Sequence, residues 1–273
     1  MGNKIGIGII TCNRPDFFKK CLESIPMDQV DHVVVINDGD KLDSKYLDIE
    51  VDIIEHDTNQ GVGKSKNNAF KYLLDKNCDH IFLIEDDIVI KDDGVFNAYI
   101  DASKETGIQH FMFGYHGPAN KGGVSKGPPK PRKVIEYPSG LKINLNQHCV
   151  GAFCYYSRAV LDDVGLMDEA YVNAFEHVDH SYMIAKKNYC TPYWWWPDIS
   201  NSMDYLDESE CSEFSSIIRP RSDWQENISM GAKHFMSKHD YSPAWINSVP
   251  DTNINDLLGI IKNIKKELSC PVK

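Results

Sequence analysis

Short apolar runs alternate with amphipathic stretches along the first part of the chain. Four of the runs end abruptly at polar residues, which is typical of strands buried inside a sheet. These runs are Ile5–Ile10, Val33–Ile36, Val51–Ile54 and His80–Ile84. Strands that alternate with helices predict an α/β fold, in which a mostly parallel sheet is flanked by helices.

Helical spacing occurs between these runs. Four apolar residues recur at positions i, i+3, i+4 and i+7 and therefore share one face of a helix. They are Phe18, Cys21, Leu22 and Ile25, and Pro26 ends this helix. A second helix carries Phe70, Leu73 and Leu74. Further helices are expected near Asp93–Ser103 and over Glu176–Lys187, and further strands at His110–Phe113, Cys149–Tyr156 and Pro192–Trp196.

The chain is predicted to form one domain with a helical extension. No internal repeat or clear linker interrupts residues 1–248. From Asp251 onward apolar residues again recur at helical spacing, so we expect an amphipathic helix within 249–273. Such a helix can dock on the domain, pair with a second copy or lie on a membrane surface, and docking is the default expectation.

Composition narrows the class of protein. The 273-residue chain is 42% hydrophobic and 25% charged, which excludes wholesale disorder. No apolar run reaches the ~18–20 residues of a membrane-spanning helix, and the N-terminus lacks the layout of a signal peptide. Its eight cysteines include no Cys-x-x-Cys pair. We therefore expect reduced thiols in a soluble cytoplasmic protein.

The distribution of charge bears on the choice of partner. The formal net charge is −11, which argues against nucleic-acid binding through overall charge. A loop at 117–133, rich in Gly, Pro and Lys, nevertheless contains cations and no acid. The cations are Lys121, Lys126, Lys130, Arg132 and Lys133. This loop is compatible with a mobile lid, a site for a polyanionic acceptor, or a plain solvated loop.

Polar residues follow the predicted strands at the sheet edge where parallel sheets bind ligands. The sharpest group is Glu85-Asp86-Asp87, directly after His80–Ile84. Carboxylate oxygens are the ligands that Mg²⁺ and Mn²⁺ prefer. Three adjacent acids also repel one another unless a cation or hydrogen-bond donors offset their charge. The arrangement favours a metal site over a solvated acidic turn.

Two weaker signals follow other strands. Asn59-Gln-Gly-Val-Gly63 precedes a helix with Lys64 and Lys66 in its first turn, and such a helix entry can place amides and ammonium groups beside a phosphate. A turn can require the same glycines, and on its own the pattern favours that simpler interpretation. Asp38 follows Val33–Ile36 and can accept hydrogen bonds from a base or ribose, or simply form a turn.

A further group can supply a general base. The acids Glu176 and Asp179 share one face of the predicted helix, and His177 and His180 lie in the same short segment. Either carboxylate could deprotonate a hydroxyl nucleophile, a role worth roughly 10²–10⁴ in rate. The alternative is a polar helix start, with acids at its N-terminus and solvated histidines.

Taken in order, these segments resemble glycosyltransferase family 2, whose members have the GT-A fold. The similar segments are Ile-Thr-Cys-Asn-Arg-Pro, Val-Ile-Asn-Asp-Gly, Asn-Gln-Gly-Val-Gly-Lys-Ser-Lys-Asn, Leu-Ile-Glu-Asp-Asp and Val-Gly-Leu-Met-Asp-Glu. Glu85-Asp86-Asp87 stands where the family has Asp-x-Asp, and Glu176-His177-Val-Asp179 stands where it has Glu-Asp-x-Asp. The resemblance covers roughly residues 5–240 and implies a Rossmann-like nucleotide-sugar half over 1–115 and an acceptor half over 116–248.

The resemblance implies roles for individual residues. Lys66 stands in for a family arginine near the donor, and His177 replaces the usual Asp. The implied nucleotide-sugar contacts are Thr11, Asn13, Arg14, Asp38, Asn59, Lys66 and Asp86. The implied ligands of Mn²⁺ or Mg²⁺ are Asp87 and Glu85, with His234 as a further candidate. The implied base is Glu176, His177 or Asp179.

The implied activity is metal-dependent transfer of a sugar from a nucleotide sugar, above all a UDP-sugar, to a hydroxyl acceptor. A base candidate favours inversion at the anomeric carbon. The acceptors to consider are a cell-surface glycan, a lipid-linked sugar and a phage-type hydroxymethylated DNA base. Two other classes stay open, a sugar-phosphate nucleotidyltransferase and a non-catalytic nucleotide- or carbohydrate-binding module. The former should carry a Gly-rich, basic signature after the first strand, which Thr11-Cys-Asn-Arg-Pro15 does not supply.

Overall fold

The computed structural model describes residues 3–46, 49–124, 126–209, 220–240, 242–243 and 259–264. In chain order its strands and helices are β1 (Ile5–Thr11), α1 (Pro15–Glu23), β2 (His32–Asn37), β3 (Asp52–Glu55), α2 (Val62–Asp75), β4 (His80–Glu85), β5 (Ile88–Ile90), α3 (Val95–Thr106), β6 (His110–Met112), β7 (Lys133–Glu136), β8 (Lys142–Asn146), β9 (Phe153–Ser157), α4 (Arg158–Val164), α5 (Glu176–Lys186), β10 (Trp196–Ile199), α6 (Ser202–Tyr205), β11 (Leu206–Glu208) and α7 (Trp224–His239).

A six-stranded sheet in the order β3-β2-β1-β4-β9-β6 forms the centre of the fold. The first four strands are parallel, whereas β9 runs antiparallel to both of its neighbours. The sheet is therefore mostly parallel, as the alternation of apolar runs predicted. Its register sets Thr11 opposite Asn37 and Ile10 opposite Glu85. The carboxyl ends of β1, β2 and β4 consequently meet at one edge.

Aromatic side chains fill the core beneath the antiparallel half of this sheet. The ring of Phe82 on β4 lies 4.8 Å from that of Phe96 and 5.2 Å from that of Tyr155. Tyr99 and Phe153 pack at 5.2 Å. Full burial of such side chains contributes about 1.5–3 kcal/mol each. The resulting core holds β4 and β9 in place behind the acidic residues that end β4.

The second half contains strands that apolar patterning did not predict. An antiparallel sheet has the order β10-β8-β7, and β11 pairs with β5. The predicted strand Cys149–Tyr156 begins later, at Phe153, and the predicted strand Pro192–Trp196 is wrong because β10 starts only at Trp196. Trp194 has a φ of +66°, and Trp195 N donates to Pro192 O at 3.0 Å. The aromatic run therefore forms a buried turn.

The basic loop is less cationic than its sequence suggests. Lys121 is buried and its Nζ lies 2.6 Å from Glu208 Oε1. Arg132 stacks over the Trp195 ring at 3.8 Å and donates to Trp194 O. Lys126, Lys130 and Lys133 are exposed. Two of the five cations, Lys121 and Arg132, therefore interact with other groups of the protein.

Part of the C-terminal extension is described. Residues 259–264 are helical and bury Ile261 and Ile264, as a docked amphipathic helix requires. The remainder of the helix predicted for 249–273 lies outside the described residues. Within the ranges that the structure describes, no helix is long and apolar enough to cross a membrane.

A buried carboxyl group connects β10 to α3, to α6 and to the segment after β6. Asp198 on β10 accepts hydrogen bonds from Tyr99 OH at 2.7 Å, Ser202 Oγ at 2.7 Å and Gly114 N at 2.9 Å. Burial raises the pKa of Asp198 to about 7. An exposed aspartate titrates near pH ~4. The folded protein therefore keeps this proton over a pH interval in which the unfolded chain has lost it.

We expect the contribution of Asp198 to the free energy of unfolding to decrease as the pH rises from about 4 to about 7. A carboxyl group with a raised pKa in the folded state stabilises the fold only while it holds its proton. Asp198→Asn cannot ionise and should flatten this slope of unfolding free energy against pH. Urea unfolding at several pH values measures it. Equal slopes in both proteins would contradict the prediction.

Candidate active site

A cleft opens at the edge where β1, β2 and β4 end. Its described lining residues are Ile10, Thr11, Cys12, Arg14, Asp38, Asn59, Val62, Glu85, Asp86, Asn173 and Arg221. Most of the residues predicted to bind a nucleotide sugar therefore come together here. Asn13 and Lys66 do not line the cleft.

The acidic pair after β4 is held by cations of the protein itself. Thr11 Oγ1 donates to Asp86 Oδ2 at 2.8 Å, and the Arg14 guanidinium pairs with Asp86 and, at 3.1 Å, with Asp87 Oδ2. His116 Nε2 lies 3.2 Å from Asp87 Oδ1. Burial raises the pKa of Asp86 to about 7. Burial acts the same way on Asp87, but His116 and Arg14 outweigh it and hold that pKa well below its usual range.

Asp38 anchors the loop that precedes α2. Its Oδ1 lies 2.6 Å from His56 Nδ1 and accepts from Gln60 N at 2.7 Å. Its Oδ2 accepts from Asn59 Nδ2 and Gly61 N, both at 2.9 Å. A carboxylate has about four acceptor positions, so these donors leave little capacity for a nucleobase. Asn13 shapes the neighbouring loop, since its Oδ1 accepts from Asp40 N at 2.6 Å.

The glycines of Asn59-Gln-Gly-Val-Gly63 allow another segment to cross close to the start of α2. Gly61 has a φ of +86°, and a Cβ there would lie 2.4 Å from Val172 O. A Cβ on Gly63 would lie 2.9 Å from Tyr171 O, and Val62 N donates to Val172 O at 3.0 Å. Close packing of the segment 171–173 therefore explains why this turn requires its glycines.

Lys66 is buried where three parts of the site meet. Its Nζ donates to Glu85 Oε1 at 2.8 Å, to Gly151 O at 3.1 Å and to Glu176 Oε1 at 3.4 Å. Burial lowers the pKa of Lys66, but Glu85 and Glu176 outweigh burial and raise it above its ordinary value. All three protons of this ammonium have acceptors. Lys66 therefore connects the end of β4 to the start of α5.

Glu176 and His177 form a hydrogen-bonded pair at the start of α5. His177 Nδ1 lies 2.9 Å from Glu176 Oε1. Burial raises the pKa of Glu176, but His177 and Lys66 outweigh it and hold the pKa below its ordinary value. A Cβ on Gly151 would lie 2.7 Å from the His177 ring, so only glycine fits beneath it. The imidazole is thereby fixed on two sides.

Asp179 belongs to the contact between α5 and α7. Its carboxylate meets His239 Nε2 at 2.6 Å, Lys238 Nζ at 2.8 Å and Tyr171 OH at 3.2 Å. Side-chain exposure also separates the three predicted bases, at 22% for His177, 4% for Glu176 and 2% for Asp179. Among the three, His177 is the side chain that solvent reaches.

His234 on α7 contacts the segment that precedes α5. Its Nε2 is 2.9 Å from Asp168 Oδ2, and its ring packs 4.8 Å from that of Tyr171. The structure thus pairs His234 with Asp168 and pairs the predicted metal ligand Asp87 with His116. Glu85, the other predicted metal ligand, directs Oε1 to Lys66.

Three residues of the site were not predicted from the sequence. His116 follows β6 at a strand end, so the rule that located Asp86 could have found it. Asn173 and Arg221 also line the cleft. No motif marks either residue, because both reach the cleft from irregular segments.

The sequence profile described as Glycosyl transferase family 2 matches residues 7–165, more than half of the chain. The chain belongs to glycosyl transferase family 2. It is therefore a glycosyltransferase, which favours the transferase over the nucleotidyltransferase and the non-catalytic module considered above. A curated relative, the uncharacterized glycosyltransferase R363 of Acanthamoeba polyphaga mimivirus, is 28% identical over 257 residues, which cover 87% of this chain and 94% of the relative.

Solved structures with a similar fold include two glycosyltransferases. S. aureus TarS 1-349, in complex with UDP-GlcNAc, matches with a TM-score of 0.54 and 15% identity, over 96% of this chain and 71% of that chain. GalNAc-T7, with UDP, GalNAc and Mn²⁺, matches with a TM-score of 0.52 and 10% identity, over 96% of this chain and 54% of that chain. At these identities the likeness concerns the fold, and it confirms the predicted GT-A arrangement of the glycosyltransferase.

We expect Lys66→Met to destabilise the glycosyltransferase by roughly 3–5 kcal/mol, because it leaves the buried carboxylate of Glu176 and the partly exposed carboxylate of Glu85 without their shared cation. Lys71→Met is the matched control on the same helix, since Lys71 and Glu169 form an exposed pair at 3.8 Å. That control should change stability by less than about 0.5 kcal/mol. Urea unfolding measures both values, and equal effects would contradict the assignment of Lys66.

Proposed function

We propose that this glycosyltransferase moves a sugar from a nucleotide sugar to a hydroxyl acceptor, with a divalent cation and with inversion at the anomeric carbon. One observation carries the proposal. Lys66 Nζ lies 2.8 Å from Glu85 on the nucleotide side and 3.4 Å from Glu176 on the base side. The acidic strand end and the base-bearing helix are therefore near enough to bracket a single sugar.

The residues beside Asp87 suit a divalent cation. Asp87 Oδ1 and His116 Nε2 lie 3.2 Å apart. Adjacent ligands of an octahedral ion at ~2.1 Å are about 3 Å from each other. A carboxylate oxygen suits Mg²⁺ and Mn²⁺, and imidazole is a common ligand of transition metals. We therefore propose these two side chains as the protein ligands of Mn²⁺ or Mg²⁺, in place of the set Asp87, Glu85 and His234 that the resemblance implied.

The remaining positions around that cation suit substrate and water. No group of three or more His, Cys, Asp or Glu side chains that could hold a metal occurs in the described part of the chain. Magnesium sites often use one or two protein ligands together with substrate phosphates and waters. A bound cation offsets the charge that develops on a diphosphate leaving group. Arg14, beside both aspartates, supplies further positive charge there.

His177 is the base in this proposal. Glu176 accepts a hydrogen bond from Nδ1–H of His177, which leaves Nε2 unprotonated and able to accept a proton. The acceptor oxygen forms its bond to the anomeric carbon while the bond from that carbon to the diphosphate breaks. The acceptor proton passes to His177 Nε2, and the bonding electrons leave with the diphosphate. An imidazole thus takes the position of the family's usual aspartate.

An acceptor with less negative charge than DNA suits this surface better. Two of the five cations in the basic loop are already engaged within the protein. Lys121 pairs with Glu208, and Arg132 stacks on Trp195. The three remaining lysines are few beside the net charge of −11 that the whole chain carries. Repulsion by that net charge disfavours a long polyanion. We therefore propose a hydroxyl of a glycan or a lipid-linked sugar as the acceptor.

We expect His116→Ala to weaken Mn²⁺ binding at least about tenfold, because it removes one of two protein ligands. His234→Ala is the matched control, since His234 pairs with Asp168. Isothermal titration with Mn²⁺ in the presence of UDP measures both affinities. Equal losses in the two variants, or a loss confined to His234→Ala, would contradict the assignment of His116.

We expect His177→Ala to lower kcat by about 10²–10⁴, the usual contribution of a general base. His177→Asp should recover part of that loss and keep its activity to lower pH, because a carboxylate loses its proton at lower pH than an imidazole does.

Asp179→Asn serves as the control for His177, since Asp179 joins α5 to α7. Asp179→Asn should lower thermal stability more than kcat. A folded Asp179→Asn protein as inactive as His177→Ala would instead identify Asp179 as the base.

A further inference from the structure

Asn173 lines the cleft and carries a buried hydrogen-bond donor. The residue is 9% exposed and borders the same cleft as Glu85 and Asp86. In the part of the chain that the structure describes, Asn173 Nδ2 has no hydrogen-bond partner. A buried donor without an acceptor destabilises a fold by about 1–3 kcal/mol. An unmade hydrogen bond of this kind calls for an explanation, and a ligand in the cleft that supplies the acceptor is one.

The backbone around Asn173 is fixed on both sides. Before it, Val172 O accepts from Val62 N at 3.0 Å, where Gly61 allows the close approach. After it, Phe175 has a φ of +70°, a left-handed conformation that is costly for a residue with a Cβ. The amide therefore reaches the cleft from a constrained segment that leads directly into Glu176 and His177.

The neighbours of Asn173 favour a hydroxyl as its partner. Glu85 directs Oε1 to Lys66 and also lines the cleft, so a carboxylate acceptor and an amide donor border the same space. A sugar hydroxyl can donate to one group and accept from the other. A phosphate can only accept, and Arg14 already brings a guanidinium to this cleft.

We propose that Asn173 is a specificity-determining residue for the donor sugar. Its Nδ2 donates to a hydroxyl of the sugar ring, and that hydroxyl donates to the carboxylate of Glu85. This inference rests on the proposed function, since it requires a nucleotide sugar in the cleft. It adds that the sugar, and not the nucleoside diphosphate, is what Asn173 contacts.

The experiment compares each nucleotide with its sugar conjugates. Calorimetric titration with Mn²⁺ present measures the affinities for UDP, UDP-glucose, UDP-galactose, UDP-N-acetylglucosamine, GDP and GDP-mannose. For the nucleotide sugar that binds tightest, Asn173→Ala and Asn173→Asp should weaken binding by roughly three- to tenfold or more. The matching nucleoside diphosphate lacks the contacted hydroxyl. The variants should therefore bind it with an affinity within about twofold of that of the original protein.

Stability provides a second readout. Asn173→Ala removes a donor that has no partner, so the ligand-free variant should unfold at the same temperature or higher. Asn67→Ala is the matched control, because the buried Asn67 amide donates to Met167 O at 2.9 Å and to Glu169 Oε1 at 3.0 Å. That control should unfold at a lower temperature.

The outcomes separate the two proposals. Equal losses for the nucleotide sugar and the nucleoside diphosphate, or no loss for either, would overturn the role of Asn173 and leave the proposed function intact. A protein that binds none of the nucleotide sugars would overturn both. A loss confined to the nucleotide sugar, with unchanged ligand-free stability, supports the inference.

Discussion

The buried ammonium of Lys66 is the interaction on which the site depends. A cation removed from water is tolerated only where acceptors surround it. Those acceptors come from Glu85 at the end of β4, from Gly151 ahead of β9 and from Glu176 at the start of α5. The three segments must therefore meet before Lys66 can be buried. The acidic end of β4 and the start of α5 are consequently positioned as one unit.

Much of the fold could be predicted because parallel strands place their carboxyl ends at one edge. That rule is enough to group Thr11, Asp38 and Asp86 from their positions in the chain, and the cleft lies where they meet. Apolar patterning did not predict β7, because this strand is short and largely exposed. It also failed at Trp194, since aromatic residues suit a buried turn as well as a strand. A local sequence pattern indicates whether a segment is buried more directly than it indicates the conformation of the backbone.

The roles of individual residues were harder to predict than their locations. Whether a carboxylate is available to a substrate depends on which donors already occupy it. Asp38 is occupied by the nearby loop 59–61, whereas Asp179 is occupied by Lys238 and His239, which are distant in sequence. Asn173 presents the opposite case, because its function would follow from a partner that is missing. Such contacts arise only in the folded chain.

The pairing of Arg14 with Asp86 and Asp87 has a consequence for how the protein matures. Adjacent carboxylates at a sheet edge repel, and many metalloproteins fold only when an ion removes that repulsion. Here a side chain of the same polypeptide supplies the counter-charge. An ion is therefore not required to offset these two charges during folding, and we expect a newly made chain to reach its native state in a metal-poor environment. The cation proposed for this site would serve turnover and not the fold.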